Sequence, residues 1–404
     1  MILAALVVAW SLTARPLTDR GLSGPMVFLA AGVLLSQAGV VDVSVDSHSI
    51  KLVVELALVL ALFADASSAD LRHLGRHGGW PGRMLLIGLP LSIAFGTAAA
   101  SLLLPVLSGA SALLLAASLA ATDASLSAPV LGDERVPWRV RLALNLESGL
   151  NDGLATPVVL AAIVATAASL GIDHVNDPAE SYVIDLVGGV VFGGLVGGVG
   201  GWLIEQADNR RWTEPGGRRL ATLAIPIGVM AGSLLFGVSM FVSAFVAGLA
   251  YGAVTRRDGV DSTDLPEFAS ETLAWITWFL FGAAVLVPSL ELVDVRVALY
   301  AVASLTVIRM VPIAISLYRT DASLPTVAFL GWFGPRGLAT VVFGLLIVED
   351  LGQSSNEVNL VLSTLCLTMV LSIVAHAVTA SPLIRWLQRS SPSEPAEPSG
   401  PAGA

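Results

Sequence analysis

The stretch Asn145-Leu146-Glu147-Ser148-Gly149-Leu150-Asn151-Asp152-Gly153 gathers two carboxylates, two amides and a hydroxyl inside an otherwise strongly apolar sequence. Hydrocarbon holds no water to solvate an ionised carboxylate, so such residues are costly within a membrane span and by default mark an ion or proton pathway. At about 100° per residue, Ser148 and Asp152 lie about 40° apart on one helix face, whereas Glu147 and Asp152 diverge by about 140°. On a straight helix the two acids therefore serve different sites: one can be a ligand while the other is held by a structural partner. Two arginines inside apolar runs, Arg309 and Arg336, are the available partners, because an unpaired charge of either sign is expensive there.

The elements that position these residues follow from composition. The chain has 404 residues, 55% of them hydrophobic and only 13% charged, and a mean hydropathy of +0.81. Its polar residues gather in short loops between apolar runs, which describes a polytopic membrane protein and excludes a large soluble enzyme. The formal net charge of -10 argues against a nucleic-acid partner. Cys366 is alone and lies inside an apolar run, so it reads as a small core hydrophobe and not as part of a disulfide framework.

Thirteen apolar segments are expected, at 1–14, 24–41, 50–66, 83–105, 110–131, 140–170, 181–204, 219–236, 238–255, 269–288, 297–318, 322–348 and 357–384. Numbered from the N-terminus, the odd loops and the C-terminus hold seventeen of the 21 basic residues, among them Arg72, Arg76, Arg135, Arg139, Arg141, Arg210, Arg211 and Arg385. The even loops hold only Lys51 and Arg296. The positive-inside rule then places the C-terminus in the cytoplasm and the N-terminus outside, as expected for a multi-pass protein of a bacterial inner membrane. Acidic clusters such as Asp173, Asp177 and Glu180 fall on the external side. The first span is short of the about 20 residues that cross hydrocarbon, so it thins the bilayer or is the remainder of a longer segment. Arg15 and Arg20 follow it directly, which argues against a cleaved signal peptide. The tail 390–404, built of Pro, Ser, Ala and Gly, is expected to be disordered.

Spans three to six and ten to thirteen correspond in order at an offset of about 213 to 218 residues. Seven spans separate the copies, an odd number, so the second runs the opposite way through the membrane. Inverted repeats of this kind place a transport site near the midplane between them. Spans five and twelve carry matched interruptions, Ala121-Thr122-Asp123-Ala124-Ser125 and Phe333-Gly334-Pro335-Arg336-Gly337. Pro335 removes a donor and the flanking Gly334 and Gly337 tolerate unusual dihedrals, so a pair of crossed, discontinuous helices is expected.

Taken together, Leu62-Phe63-Ala64-Asp65, Ala121-Thr122-Asp123, Glu147-Ser148-Gly149-Leu150-Asn151-Asp152-Gly153, Phe241-Val242-Ser243-Ala244-Phe245-Val246-Ala247-Gly248, Arg309 and Gly334-Pro335-Arg336-Gly337 resemble the monovalent cation:proton antiporters of the sodium/proton exchanger branch. The resemblance covers essentially the whole chain. It implies an all-α fold of about thirteen transmembrane helices, a homodimer, and elevator-like alternating access. The implied core comprises about 83–170 and 297–388 and the implied scaffold about 1–66 and 181–288. It further implies Asp152 as the transport carboxylate, with Asp123, Ser148 and the Thr122 backbone as sodium ligands. Asn151 supports the site, Glu147 pairs with Arg309, and Asp65 stands where many members have a Glu. The Asn151-Asp152 pair resembles the electroneutral members, which implies one proton per cation. No cofactor is implied; the substrates are sodium or lithium ions and protons, with potassium or broad specificity as the alternative in the same fold. One departure stands out: many members have a proline after the Thr-Asp pair, whereas Ala124 and Ser125 follow here. The break in span five must then come from side-chain hydrogen bonding or from the paired helix.

The remaining polar residues have plainer readings. Arg336 either caps half-helix carbonyls or tunes the field of the site. Glu55 and Glu271 read as interfacial or packing groups, and Trp80, Trp138, Trp202 and Trp212 as interface anchors. The glycine pairs from Gly188-Gly189 to Gly200-Gly201 form a small-residue face for close helix packing. Two other function classes fit less well. A channel needs a continuous polar path, yet these polar residues cluster at one depth. An intramembrane hydrolase needs a nucleophile, base and orienter, and the five histidines lie in loops or, for His376, near the last cytoplasmic end.

Overall fold

The computed structural model describes residues 1–18, 22–41, 48–69, 79–123, 125–172, 179–255 and 263–390. The tail 391–404, together with Arg20, Arg72, Arg76, Ala124, Asp173, Asp177, Arg256 and Arg257, lies outside the described residues.

Among the described residues the chain is helical, without strands, and its helices fall into the thirteen expected positions. They are α1 (Ile2–Thr18), α2 (Gly24–Gln37), α3 (His48–Ser68), α4 (Trp80–Leu103) and α5, which is split into α5a (Gly109–Ser118) and α5b (Ala128–Leu131). Then come α6 (Trp138–Leu170), α7 (Ala179–Asn209), α8 (Pro215–Phe236), α9 (Met240–Thr255), α10 (Asp264–Leu292) and α11 (Val295–Ser316). Split α12 (α12a Leu324–Trp332, α12b Leu338–Leu351) and α13 (Asn356–Ser390) complete the set. By length and composition, α4, α6, α7, α8, α10, α11 and α13 each suffice to cross a membrane. The starts of α4, α5a and α6 recur in α11, α12a and α13 at offsets of 215, 215 and 218 residues.

The packing forms two groups. One runs α7 to α9 to α3 to α10 to α2; in the other, α5a lies between α4 and α6, and α11 packs along α13. The glycines of α7 make the first group possible: a Cβ on Gly193 or Gly197 would stand 2.2 or 2.1 Å from the carbonyl oxygens of Ser243 and Ala247. Only a residue without a side chain lets backbones approach so closely. Gly248 meets Phe63 O in the same way, at 2.5 Å. The Phe241–Gly248 motif is therefore the hub where α9 meets both α7 and α3.

Three irregularities interrupt the helices. Single π turns occupy Met84–Gly88 and Gly282–Leu286, each ending two residues before a proline, Pro90 or Pro288. A proline lacks the N–H and crowds the carbonyl four residues back, and a widened turn absorbs both defects. In α11, Thr306 leaves the helical region (φ -114°, ψ -97°) while its hydroxyl donates to Val302 O at 2.7 Å. The resulting bend falls three residues before Arg309.

The short connection after α11 is fastened to the other repeat. Asp321 accepts from Trp80 Nε1 at 2.8 Å and pairs with Arg139 at 2.8 Å, and that guanidinium lies 4.1 Å over the Trp80 ring. Trp80 is only 1% exposed, so it is a buried strut and not the interface anchor expected for it. Trp202 and Trp212 are exposed, as an interface position requires. Partial burial of Asp321 pushes its carboxyl up, but hydrogen bonds from Arg139 and Trp80 outweigh it and hold the group below the usual carboxylate range. Its contribution to stability is therefore present above the unfolded value of about 4 and is lost as the pH falls through the lower folded value. Asp321→Asn is expected to lower the melting temperature slightly at pH 7, with the gap to the parent closing as the pH drops below about 4.

Candidate functional site

The two breaks cross and hold each other. The N–H of Asp123, in the segment between α5a and α5b, donates to Pro335 O in the segment between α12a and α12b at 2.9 Å. The Asp123 carboxylate accepts from Leu338 N at 2.9 Å, capping the N-terminus of α12b, and from Ser125 N at 2.7 Å. Both causes anticipated for a break without proline, the side-chain bond and the paired helix, are present. Capping runs the other way as well. Arg336 donates to Ala120 O (3.4 Å), Ala121 O (3.5 Å) and Ser304 O (3.2 Å), and Thr340 donates to Ser118 O (3.1 Å). These contacts agree with the carbonyl-capping reading of Arg336. The C-terminal end of α5a and the N-terminus of α12b are thus each met by a group of complementary sign from the opposite repeat, which is what the orphan backbone groups of a helix end need in an apolar environment.

Gly337 permits the crossing. A Cβ there would stand 1.9 Å from both Cβ and Oδ2 of Asp123. Its φ of -134° is open to any residue, so the requirement is for space alone. Gly337→Ala is expected to force the two breaks apart and to lower the melting temperature in detergent by several degrees, an overpacking cost of about 1–3 kcal/mol.

The helix α6 crosses behind these breaks and divides its polar residues as helical geometry dictates. Glu147, 3% exposed, receives Arg309 Nη1 and Nη2 on its two oxygens, each at 2.9 Å. Arg309 Nη2 also donates to Phe333 O, at 3.1 Å, and a Cβ on Gly334 would meet its guanidinium at 2.1 Å. Asn151, fully buried and four residues on from Glu147, donates to Thr122 Oγ1 at 2.6 Å and accepts from Thr122 N at 3.4 Å. Ser148 Oγ lies 3.2 Å from Thr122 Oγ1.

Asp152 stands among these groups differently from the rest. Its Oδ1 is buried and, among the described residues, has no hydrogen-bond partner. The Thr122 backbone faces the same carboxylate, and Asp65, Asp123 and Glu147 lie within electrostatic reach of it. Asp65 lies against the opening motif: a Cβ on Gly149 would stand 3.6 Å from Asp65 Cβ. The structure therefore brings Asp152, Asp123, Ser148, Thr122, Asn151 and Asp65 together, with Glu147, Arg309, Gly334, Pro335 and Arg336 adjoining them. Asp65, Asp123 and Asp152 lie within electrostatic reach of one another, while Arg309 is held by Glu147 and Arg336 by backbone carbonyls. Such a cluster is stabilised by a cation or by protons, and a carboxylate that binds a cation must first release its proton. Among the described residues no group of three or more His, Cys, Asp or Glu side chains is placed to hold a metal ion, so a cation here would draw on hydroxyl and backbone oxygens as well.

Sequence reasoning missed His376. It lies on α13, 4% exposed, with Nε2 2.8 Å from Trp332 O at the end of α12a. Its spacing of four from Ser372 was the available signal.

Comparison with known proteins gives concordant findings. The family model described as "Sodium/hydrogen exchanger, transmembrane" matches residues 2–386. A Na(+)/H(+) antiporter of Schizosaccharomyces pombe is 26% identical over 313 residues, covering 70% of this chain and 66% of its own. The K(+)/H(+) antiporter NhaP of Alkalimonas amylolytica is 26% identical over 385 residues, covering 91% of this chain and 63% of its own. The chain thus spans less than two thirds of the length of each of these curated relatives. The structure of the sodium proton antiporter MjNhaP1 from Methanocaldococcus jannaschii superposes with a TM-score of 0.77 at 19% identity, covering 96% of this chain and 97% of the other, which shows a shared fold.

Proposed function

We propose that this chain, which belongs to the sodium/hydrogen exchanger family, exchanges monovalent cations for protons across a membrane by alternating access at one carboxylate site. The observation that carries this reading is the buried, unpartnered Oδ1 of Asp152 beside Asp123 and Asp65, in a region where Arg309 is paired with Glu147 and Arg336 donates to backbone carbonyls. Asp152 is the exchanging carboxylate, and Asp123, Ser148 and Thr122 complete the cation's shell. Asn151 fixes Thr122, and Asp65 adds negative charge. Glu147 and Arg309 are a structural pair that joins α6 to α11 and to the α12 break.

Proton and cation occupy Asp152 in turn. Each loaded form has less uncompensated charge than the empty site, so each crosses the membrane interior more readily. Coupling follows without any further device, with one proton per cation. The group containing α4 to α6 and α11 to α13 is the moving core, and the α1 to α3 and α7 to α10 group is the scaffold and dimer-forming part. The packing into two groups supports this division. The distribution of arginines supports a cytoplasmic C-terminus in a bacterial inner membrane.

Sodium is the first substrate assigned, with lithium alongside it. Potassium is the second reading, because relatives named K(+)/H(+) antiporters align over 85–91% of this chain. Addition of sodium, lithium or potassium to the unbuffered, detergent-solubilised protein is expected to release protons with sodium and lithium. Release with potassium alone assigns the second reading, and no release with any of the three contradicts the exchange mechanism.

A further inference from the structure

The ends of the α12 break need hydrogen-bond partners, since α12a stops inside the protein with its last carbonyls exposed to apolar surroundings. Phe333 O is met by Arg309 at 3.1 Å, and Trp332 O by His376 Nε2 at 2.8 Å. The other ring nitrogen, Nδ1, lies 2.7 Å from Ser372 O and 3.2 Å from Ser372 Oγ. That same Oγ accepts the backbone N–H of Arg336 at 2.9 Å. The imidazole is clamped by the rings of Trp332 and Phe333, whose centres lie 5.5 and 5.9 Å away. One histidine therefore spans the interruption: it holds the carbonyl that precedes the unwound segment and, through Ser372, the N–H inside it. Pro335 lies between these two anchor points, and its carbonyl carries the hydrogen bond from Asp123 N.

We propose that His376 is a positioning residue for the cation site. By fixing both ends of the α12 break it sets the height of Pro335 O, and through Asp123 N it sets Asp123 and Thr122 relative to Asp152. This inference rests on the proposed exchange function and assigns His376 no contact with the ion. Loosening the break displaces the ligands from Asp152 while leaving Asp152 itself, and the rigid movement of the core, untouched. Its effect falls on cation affinity and not on the maximal rate.

The test uses reconstituted wild-type, His376→Ala, His376→Gln and Ser372→Ala protein, with initial rates of sodium-driven proton movement measured against sodium concentration. His376→Ala is expected to raise the apparent KM about tenfold, with the maximal rate within about twofold of wild type. His376→Gln is expected to recover most of the loss, because its amide N–H reaches Trp332 O. Ser372→Ala removes only the hydroxyl and is expected to raise KM about threefold, so it carries the test where the alanine at 376 does not fold. A wild-type KM in the alanine variants, a fall in maximal rate at unchanged KM, or no recovery with glutamine would overturn the positioning role. Absence of exchange in the wild type would instead overturn the function on which it rests.

Discussion

Replacing Asp152 by Asn is expected to abolish sodium-driven pH change in everted membrane vesicles while leaving the protein folded. Asparagine keeps the size and polarity of the side chain but carries neither a charge for the cation nor an exchangeable proton at that pH, so both halves of the cycle are lost together. The loss should exceed about a hundredfold, as for removal of a group on which the whole step depends. Stability should not follow activity. Asp152 Oδ1 has no hydrogen-bond partner among the described residues, and Asp65 and Asp123 repel the carboxylate, so neutralising it relieves repulsion, while the amide oxygen of Asn still accepts from the Thr122 backbone. An unchanged or raised melting temperature is expected. Retained exchange in this variant would remove Asp152 from the transport role.

Glu147→Gln, five residues earlier on the same helix, is expected to behave in the opposite way. The two hydrogen bonds from Arg309, both 2.9 Å, join side chains that are each 3% exposed. Removing one partner leaves a guanidinium charge buried without its counter-ion, a cost of about 3–5 kcal/mol. The damage spreads, because the same guanidinium donates to Phe333 O at the α12 break. The melting temperature in detergent should fall by about 5 °C or more. Removing both charges together, with Glu147→Gln and Arg309→Met, should recover part of that loss, since the isolated charge and not the missing pair is the main penalty. An unaltered melting temperature in Glu147→Gln would contradict the structural role of the pair.

The opposite fates of Glu147 and Asp152 were legible from the sequence because one physical rule decides them: residues five apart on a helix face different neighbours. The thirteen helices and the two matched breaks were legible for a similar reason, since hydrocarbon enforces long apolar runs and punishes any interruption that lacks a cause. What the sequence did not carry was the identity of the partners across the breaks. That Asp123 caps α12b, that Arg336 caps α5a and that His376 holds α12a all depend on which helix lies opposite, and contacts between residues 215 and 44 positions apart leave no periodic trace. The bend at Thr306 was hidden as well, because threonine in an apolar run is compatible with a straight helix until its hydroxyl bonds backward. Trp80 shows the converse error: an aromatic residue near a span end reads as an interface anchor until the structure supplies Asp321 and Arg139 to cover it.

The central claim is that one carboxylate couples proton and cation movement in opposite directions. It is tested most directly in proteoliposomes holding the purified wild-type chain, with a sodium gradient imposed and internal pH followed by a trapped dye while valinomycin and potassium clamp the membrane potential. The account predicts a sodium-dependent pH change that persists under the clamp and is absent from liposomes holding Asp152→Asn. No pH change with sodium, lithium or potassium, or an equal change with Asp152→Asn, would contradict it.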